Sequence, residues 1–202
     1  MNSVVTTDSP FIVAFDCADL AAASQLADQL SPQLCRAKVG KELFTACGMA
    51  VIDMLHSKGY EIFLDLKYHD IPTTVAKAVA VVATAGIWMV NVHASGGHRM
   101  MSAAKDAASQ SNSTHLIAVT VLTSMTDEDL QLTGVARSVE EQVLFLADSA
   151  KNAGLNGVVC SAQEAQQLRQ RCGNDFLLVT PGIRPADAIA DDQRRTLTPR
   201  EA

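Results

Sequence analysis

Seven short, almost wholly apolar runs alternate along the chain with stretches in which apolar residues return every three or four positions. The runs cover 11–16, 35–40, 62–66, 88–93, 116–122, 157–160 and 176–182. Continuous apolar runs of that length suit strands buried on both faces, whereas the three-to-four spacing suits amphipathic helices. After the first run, Asp19 is placed to cap a helix carrying Leu20, Ala23, Leu26, Ala27 and Leu30 on one face. The pattern predicts one helix over 42–56, another with Val75, Val79, Val82 and Gly86 in register, and a third over 98–108. Ser138 and Glu141 form a capping box ahead of Val139, Val143, Leu146 and Ala150, and Ser161 with Glu164 forms a second.

Strand–helix alternation with all-apolar strands predicts a parallel sheet with helices outside it. Polar residues collect at the carboxyl ends of the strands, and no Gly-x-Gly-x-x-Gly follows the first strand. The expected fold is therefore an α/β (β/α)8 TIM barrel, not a doubly wound dinucleotide fold. No linker-like segment divides the 202 residues, so residues 1–202 are expected to form a single domain. Thr198 and Glu201 would cap one more helix as the chain ends. The expectation is that the eighth strand and its helix are absent from this sequence, since a seven-stranded barrel would leave long edges open.

The third run departs from its neighbours. Within Asp65-Leu-Lys-Tyr-His-Asp-Ile-Pro72, charges stand where a buried strand should have none. Asp65 and Lys67, two apart, would share a face of a strand, and Asp70 follows just before a proline suited to the first turn of a helix. A structural ion pair is one reading; a catalytic lysine kept charged by carboxylates is the other. The third acid favours the catalytic reading. Asp16, Lys38, His93, Thr123 and Ser124 also stand at or just after strand ends, which converge on one mouth in a barrel. His93 reads first as a hydrogen-bonded structural group, and the histidine spacing favours no metal site. Gly96-Gly97 and Thr180-Pro-Gly-Ile-Arg184 are candidate phosphate turns, with 182–196 as a polar lid.

Composition narrows the partners. The net charge is −6 with signs interspersed, which argues against a nucleic-acid surface. The longest apolar stretch is too short to span a bilayer, so no membrane partner is expected. Five scattered cysteines and an N-terminus without signal-peptide features predict a reduced, cytoplasmic protein that takes a small molecule.

The chain resembles the orotidine 5′-phosphate decarboxylase family in its bacterial form. The resemblance rests on Phe15-Asp16, Lys38-Val-Gly-Lys41, the Asp65–Pro72 element, Val92-His-Ala-Ser-Gly-Gly97, Thr120-Val-Leu-Thr-Ser124, Thr180-Pro-Gly-Ile-Arg184 and Asp191-Asp-Gln-Arg194. It implies decarboxylation of orotidine 5′-monophosphate to uridine 5′-monophosphate, the last step of UMP synthesis, with no cofactor. It implies that Lys67 protonates C6, that Asp65 lies beside the departing carboxylate, and that Asp65 and Asp70 keep the lysine charged. Lys38 and Asp16 would bind the ribose, Thr123 and Ser124 the pyrimidine edge, and Arg184 and Gln193 the phosphate. Asp70, Ile71 and Thr74 would reach into a neighbouring subunit's site, which implies a homodimer. The family's eighth strand carries a Gly-Arg phosphate grip that this sequence lacks. Two alternatives remain. One is a magnesium-dependent sugar-phosphate lyase or decarboxylase sharing Asp-x-Lys-x-x-Asp, with Glu42 as a ligand. The other is an inactive barrel that binds nucleotides.

Overall fold

The computed structural model describes residues 4–111, 113–183, 197, 198 and 200. Seven strands form one parallel sheet: β1 (Ile12–Ala14), β2 (Arg36–Gly40), β3 (Ile62–Tyr68), β4 (Met89–His93), β5 (His115–Val119), β6 (Gly157–Val159) and β7 (Leu177–Val179). Every run predicted as a strand is one. They pair in simple chain order, β1 through β7, all parallel. A doubly wound sheet would reverse its order in the middle, so sequential pairing marks the curled sheet of a TIM-type barrel. Among the described residues β1 and β7 are its two edges.

The helices α1 (Leu20–Gln29), α2 (Lys41–Cys47), α3 (Met49–Ser57), α4 (Pro72–Thr84), α5 (His98–Ala108), α6 (Asp127–Leu132), α7 (Val139–Asn152) and α8 (Ala165–Cys172) supply the crossovers. Their local causes were mostly readable. Asp19 accepts the N–H of Ala22 at 2.8 Å, Pro72 takes the first position of α4, and the Ser138 and Ser161 capping boxes both form. One expectation is corrected: 42–56 is two helices, because Gly48 adopts φ +57 between them. A left-handed glycine ends the first helix and redirects the second. Helix α6 had no expectation, although Thr126 and Asp129 cap it with the same box. The third capping box, at Thr198, lies partly outside the described residues.

Alternate residues of each strand face opposite sides of the sheet. Ala37, Val39, Ile62, Leu64, Val90, Val92, Leu116 and Ala118 point outward and join the helices in the main core. Phe63, Met89 and Ile117, almost fully buried, form a separate cluster with Ile12, Val159, Leu177 and Val179. These are the inward positions, so the cluster plugs the curl. On β2, β3 and β4 the inward residues toward the carboxyl ends are charged or polar, Lys38, Asp65, Asn91 and His93, whereas β5 keeps the apolar Val119 there. The plug thus forms a dry floor beneath a charged layer.

Gly157 permits the close approach of β6 to β7, because a Cβ there would collide with the carbonyl oxygen and side chain of Leu177. Gly157→Ala is expected to cost about 1–3 kcal/mol of overpacking strain. At about 2–4 °C per kcal/mol for a chain of this size, that is a clear drop in Tm by calorimetry. An unchanged Tm would show that β7 docks more loosely than described.

Candidate active site

The site grows from an irregularity in β3. Leu64 pairs with Val90 and Tyr68 with Val92, so Asp65, Leu66 and Lys67 together face Asn91 alone. This β-bulge takes Lys67 out of the ladder and turns it to φ +53, the one positive φ of a non-glycine among the described residues. That conformation costs about 1–2 kcal/mol for a residue with a side chain. The displaced N–H of Lys67 is recovered by Asn91, whose Oδ1 accepts it at 2.8 Å. The simple strand reading, with Asp65 and Lys67 side by side through alternation, is therefore corrected. They do meet, but a bulge brings them together.

Lys67 Nζ donates to Asp65 Oδ1 at 2.6 Å, and Asn91 Nδ2 donates to the same oxygen at 2.6 Å. Lys38 Nζ stands 3.5 Å from Asp65 Oδ2 and 3.7 Å from Asp16 Oδ1. The result is a row, Asp16–Lys38–Asp65–Lys67, spanning β2, β3 and the loop after β1. Burial pushes the Asp65 carboxyl up. The Lys67 ammonium, its hydrogen bond and that of Asn91, and Lys38 outweigh burial and hold Asp65 below the usual carboxylate range.

Asp70 stands apart from this row. It is exposed, and its Oδ1 accepts the N–H of Ile71 at 2.6 Å at the start of α4. Ile71 and Thr74 are exposed next to it. With His69, Pro72, Ser95 and Gly96, Asp70 and Ile71 line an open groove of about 580 Å³. Thr123 is buried and Ser124 exposed in the turn after β5. Arg184 and Gln193, expected at the phosphate, lie outside the described residues, as does most of the 182–196 segment. The structure thus gathers Asp16, Lys38, Asp65 and Lys67, and sets Asp70, Ile71 and Thr74 on a rim. Asn91 had no place in the sequence reading. An amide in the middle of an otherwise apolar strand was the available signal, since a buried amide must find partners.

His93 ends β4, with its ring centroid 5.5 Å from that of His69. Burial, then the nearby His69, Lys41 and Lys67, push it down to about 4, so the imidazole is neutral at pH 7. Among the described residues no three His, Cys, Asp or Glu side chains gather as a metal site would.

A charged row at the carboxyl mouth of a parallel barrel, above an apolar floor, defines a barrel enzyme that works on a small, polar substrate. Comparison with known proteins narrows the class. The family model described as the orotidine 5′-phosphate decarboxylase / HUMPS family matches residues 9–202. An orotidine 5′-phosphate decarboxylase of Alcanivorax borkumensis is 59% identical over 199 residues, covering 98% of this chain and 86% of its own length. One of Chromohalobacter salexigens is 58% identical over 196 residues, covering 96% and 83%. The crystal structure of orotidine 5′-phosphate decarboxylase from Lactobacillus acidophilus superposes with a TM-score of 0.82 at 43% identity, over 89% of this chain and 83% of that one. The chain belongs to the orotidine 5′-phosphate decarboxylase / HUMPS family.

The depressed His93 gives a pH prediction. An unfolded histidine takes up its proton near 6.5, the folded one at about 4, so between those values the unfolded state binds more protons and stability is lost as the pH is lowered. Melting curves from pH 7 to 4.5 should show His93→Gln losing less Tm than the parent. Some slope should persist, because burial also lowers His56 and His115. Parallel curves for the two proteins would refute the buried, neutral state of His93.

Proposed function

We propose that this protein decarboxylates orotidine 5′-monophosphate, releasing carbon dioxide and giving uridine 5′-monophosphate, with Lys67 as the proton donor. The observation that carries this reading is the Lys67–Asp65 pair, 2.6 Å apart at the mouth of the barrel and joined to Lys38 and Asp16. The relatives named orotidine 5′-phosphate decarboxylase, 54–59% identical over nearly the whole chain, favour it over the magnesium-dependent lyase.

The chemistry balances with the groups at hand. The bond from C6 to the carboxylate carbon breaks, its electron pair stays on C6, and carbon dioxide leaves. Lys67 Nζ gives a proton to C6, forming the C6–H bond of the product, and regains a proton from solvent. Charge developing at C6 is stabilised by an ammonium already in place above an apolar floor, where electrostatic effects exceed those in water. Asp65 has two effects. It holds the Lys67 ammonium in place through the 2.6 Å contact, and its carboxylate, placed beside that of the substrate, favours the loss of a like charge. Lys38 and Asp16 bind the ribose hydroxyls, and Thr123 and Ser124 meet the pyrimidine edge. Arg184 and Gln193 hold the phosphate, whose remote binding energy can be used to close the site.

Asp70, Ile71 and Thr74 belong in this reading to the site of a second copy. Their exposure, 65% for Ile71, supports a homodimer in which α4 of each copy closes its partner's mouth. Asp70 then supplies the second carboxylate for the partner's lysine. Five free thiols suit a reducing compartment, which supports a cytoplasmic setting. Among the described residues no helix is long and apolar enough to cross a membrane.

Loss of substrate absorbance, followed with EDTA present, tests the reaction. Lys67→Ala should stay folded, because Asp65 keeps Lys38 and Asn91, and should lose about 10²–10⁴ in kcat or more. Undiminished turnover in that variant would remove Lys67 from the mechanism, and turnover abolished by EDTA would revive the magnesium-dependent reading.

Mixing tests the shared site. In a hybrid dimer of Lys67→Ala and Asp70→Asn subunits, one of the two sites receives an intact lysine and an intact aspartate. Equal mixing and exchange should restore about a quarter of the parent rate from two nearly inactive proteins. No recovery despite proven subunit exchange would place Asp70 in its own subunit's site.

A further inference from the structure

We propose that Asn91 is a positioning residue for the decarboxylation, holding both the backbone and the counterion of Lys67. The proposal rests on the role given to Lys67 above. Asn91 is 0% exposed, in a strand whose neighbouring positions are Val90 and Val92. A fully buried amide must have both its ends satisfied. Both are satisfied on the same reacting unit. Oδ1 accepts the backbone N–H of Lys67 at 2.8 Å, and Nδ2 donates to Asp65 Oδ1 at 2.6 Å. The same Asp65 oxygen accepts Lys67 Nζ at 2.6 Å. A closed loop runs from the backbone of Lys67 through Asn91 and Asp65 to its own ammonium.

That loop explains two features otherwise unconnected. Lys67 sits at φ +53, a conformation that persists only where its surroundings over-determine it. The bulge in β3 removes the ladder partner its N–H would have had, and Asn91 supplies a replacement from β4. With the amide removed, the N–H is orphaned, the backbone is free to relax to the extended region, and the ammonium moves off its line to C6. A buried asparagine that merely satisfied the bulge would affect stability alone. This one touches the lysine at one end and its carboxylate at the other.

The test uses the full chain with Asn91→Ala and Asn91→Asp, beside the parent and Lys67→Ala. Each variant is checked for folding, for kcat and KM with orotidine 5′-monophosphate, and for affinity for uridine 5′-monophosphate. Asn91→Ala should lose about 10²-fold in kcat, the scale of a misplaced reacting group, with product affinity within about twofold. Asn91→Asp preserves size and the acceptor for Lys67 N–H but sets a carboxylate against Asp65. The charged groups nearest it are Asp65 and Lys67 on β3 and Lys38 on β2, while the titratable His93 further along β4 is neutral over this range and the apolar Ile117 lies opposite on β5. Its rate relative to the parent should rise as pH falls from roughly 8 to 5, when the introduced acid regains a proton to donate. A folded variant with kcat within about twofold of the parent overturns the proposal, and so does a loss shared equally by kcat and product affinity. An Asn91→Asp rate that stays a fixed fraction of the parent's across that range also overturns it. An inactive parent would instead refute the decarboxylase reading itself, so the two failures are distinguishable.

Discussion

The carboxylate of Asp65 is the constraint on which the mouth of this barrel depends. A largely desolvated anion is tolerated only where cations and hydrogen-bond donors surround it. Here they come from three strands: Lys38 on β2, Lys67 on β3 itself and Asn91 on β4. Each donor needs its strand in sequential order and in its observed register. A slip of one residue in β2 would turn Lys38 out among the helices and bring an apolar residue in. The parallel order of the sheet and the electrostatics of the site are thus two aspects of one arrangement.

Strand alternation also separates the dry part of the interior from the charged part. Phe63 and Met89 pair across β3 and β4, and two residues further along the same face come Asp65 and Asn91. The apolar layer closes the barrel from below, and the polar layer opens to substrate above. A low-dielectric floor under a lysine–carboxylate pair strengthens every interaction a developing carbanion would meet. The cost of the arrangement is local. The bulge and the left-handed backbone of Lys67 are strain held by neighbours that fit only this geometry.

Much of this was legible beforehand. The seven apolar runs became seven strands, and Asp19, Pro72, Ser138 and Ser161 started helices where their chemistry suggested. The misses have separate causes. Gly48 splits a helix that periodicity alone would continue, because a single positive φ does not disturb the apolar spacing on either side. Helix α6 is short and acidic, with a capping box but little apolar pattern to announce it. Asn91 was passed over because a residue's burial and partners depend on another strand.

The sequence by itself determined which segments would be strands, that they would be parallel and buried, and that acids and lysines would stand at their carboxyl ends. It did so because periodicity, capping and charge are properties of neighbours along the chain. Only the tertiary structure decided which of those charges meet. Asp65 and Lys67 are joined by a bulge that exists because β4 offers three residues a single partner. Lys38 reaches Asp65 through register, and Asp70 turns to the rim because α4 begins there. Pairing across strands links residues far apart in sequence, and local pattern carries no record of it.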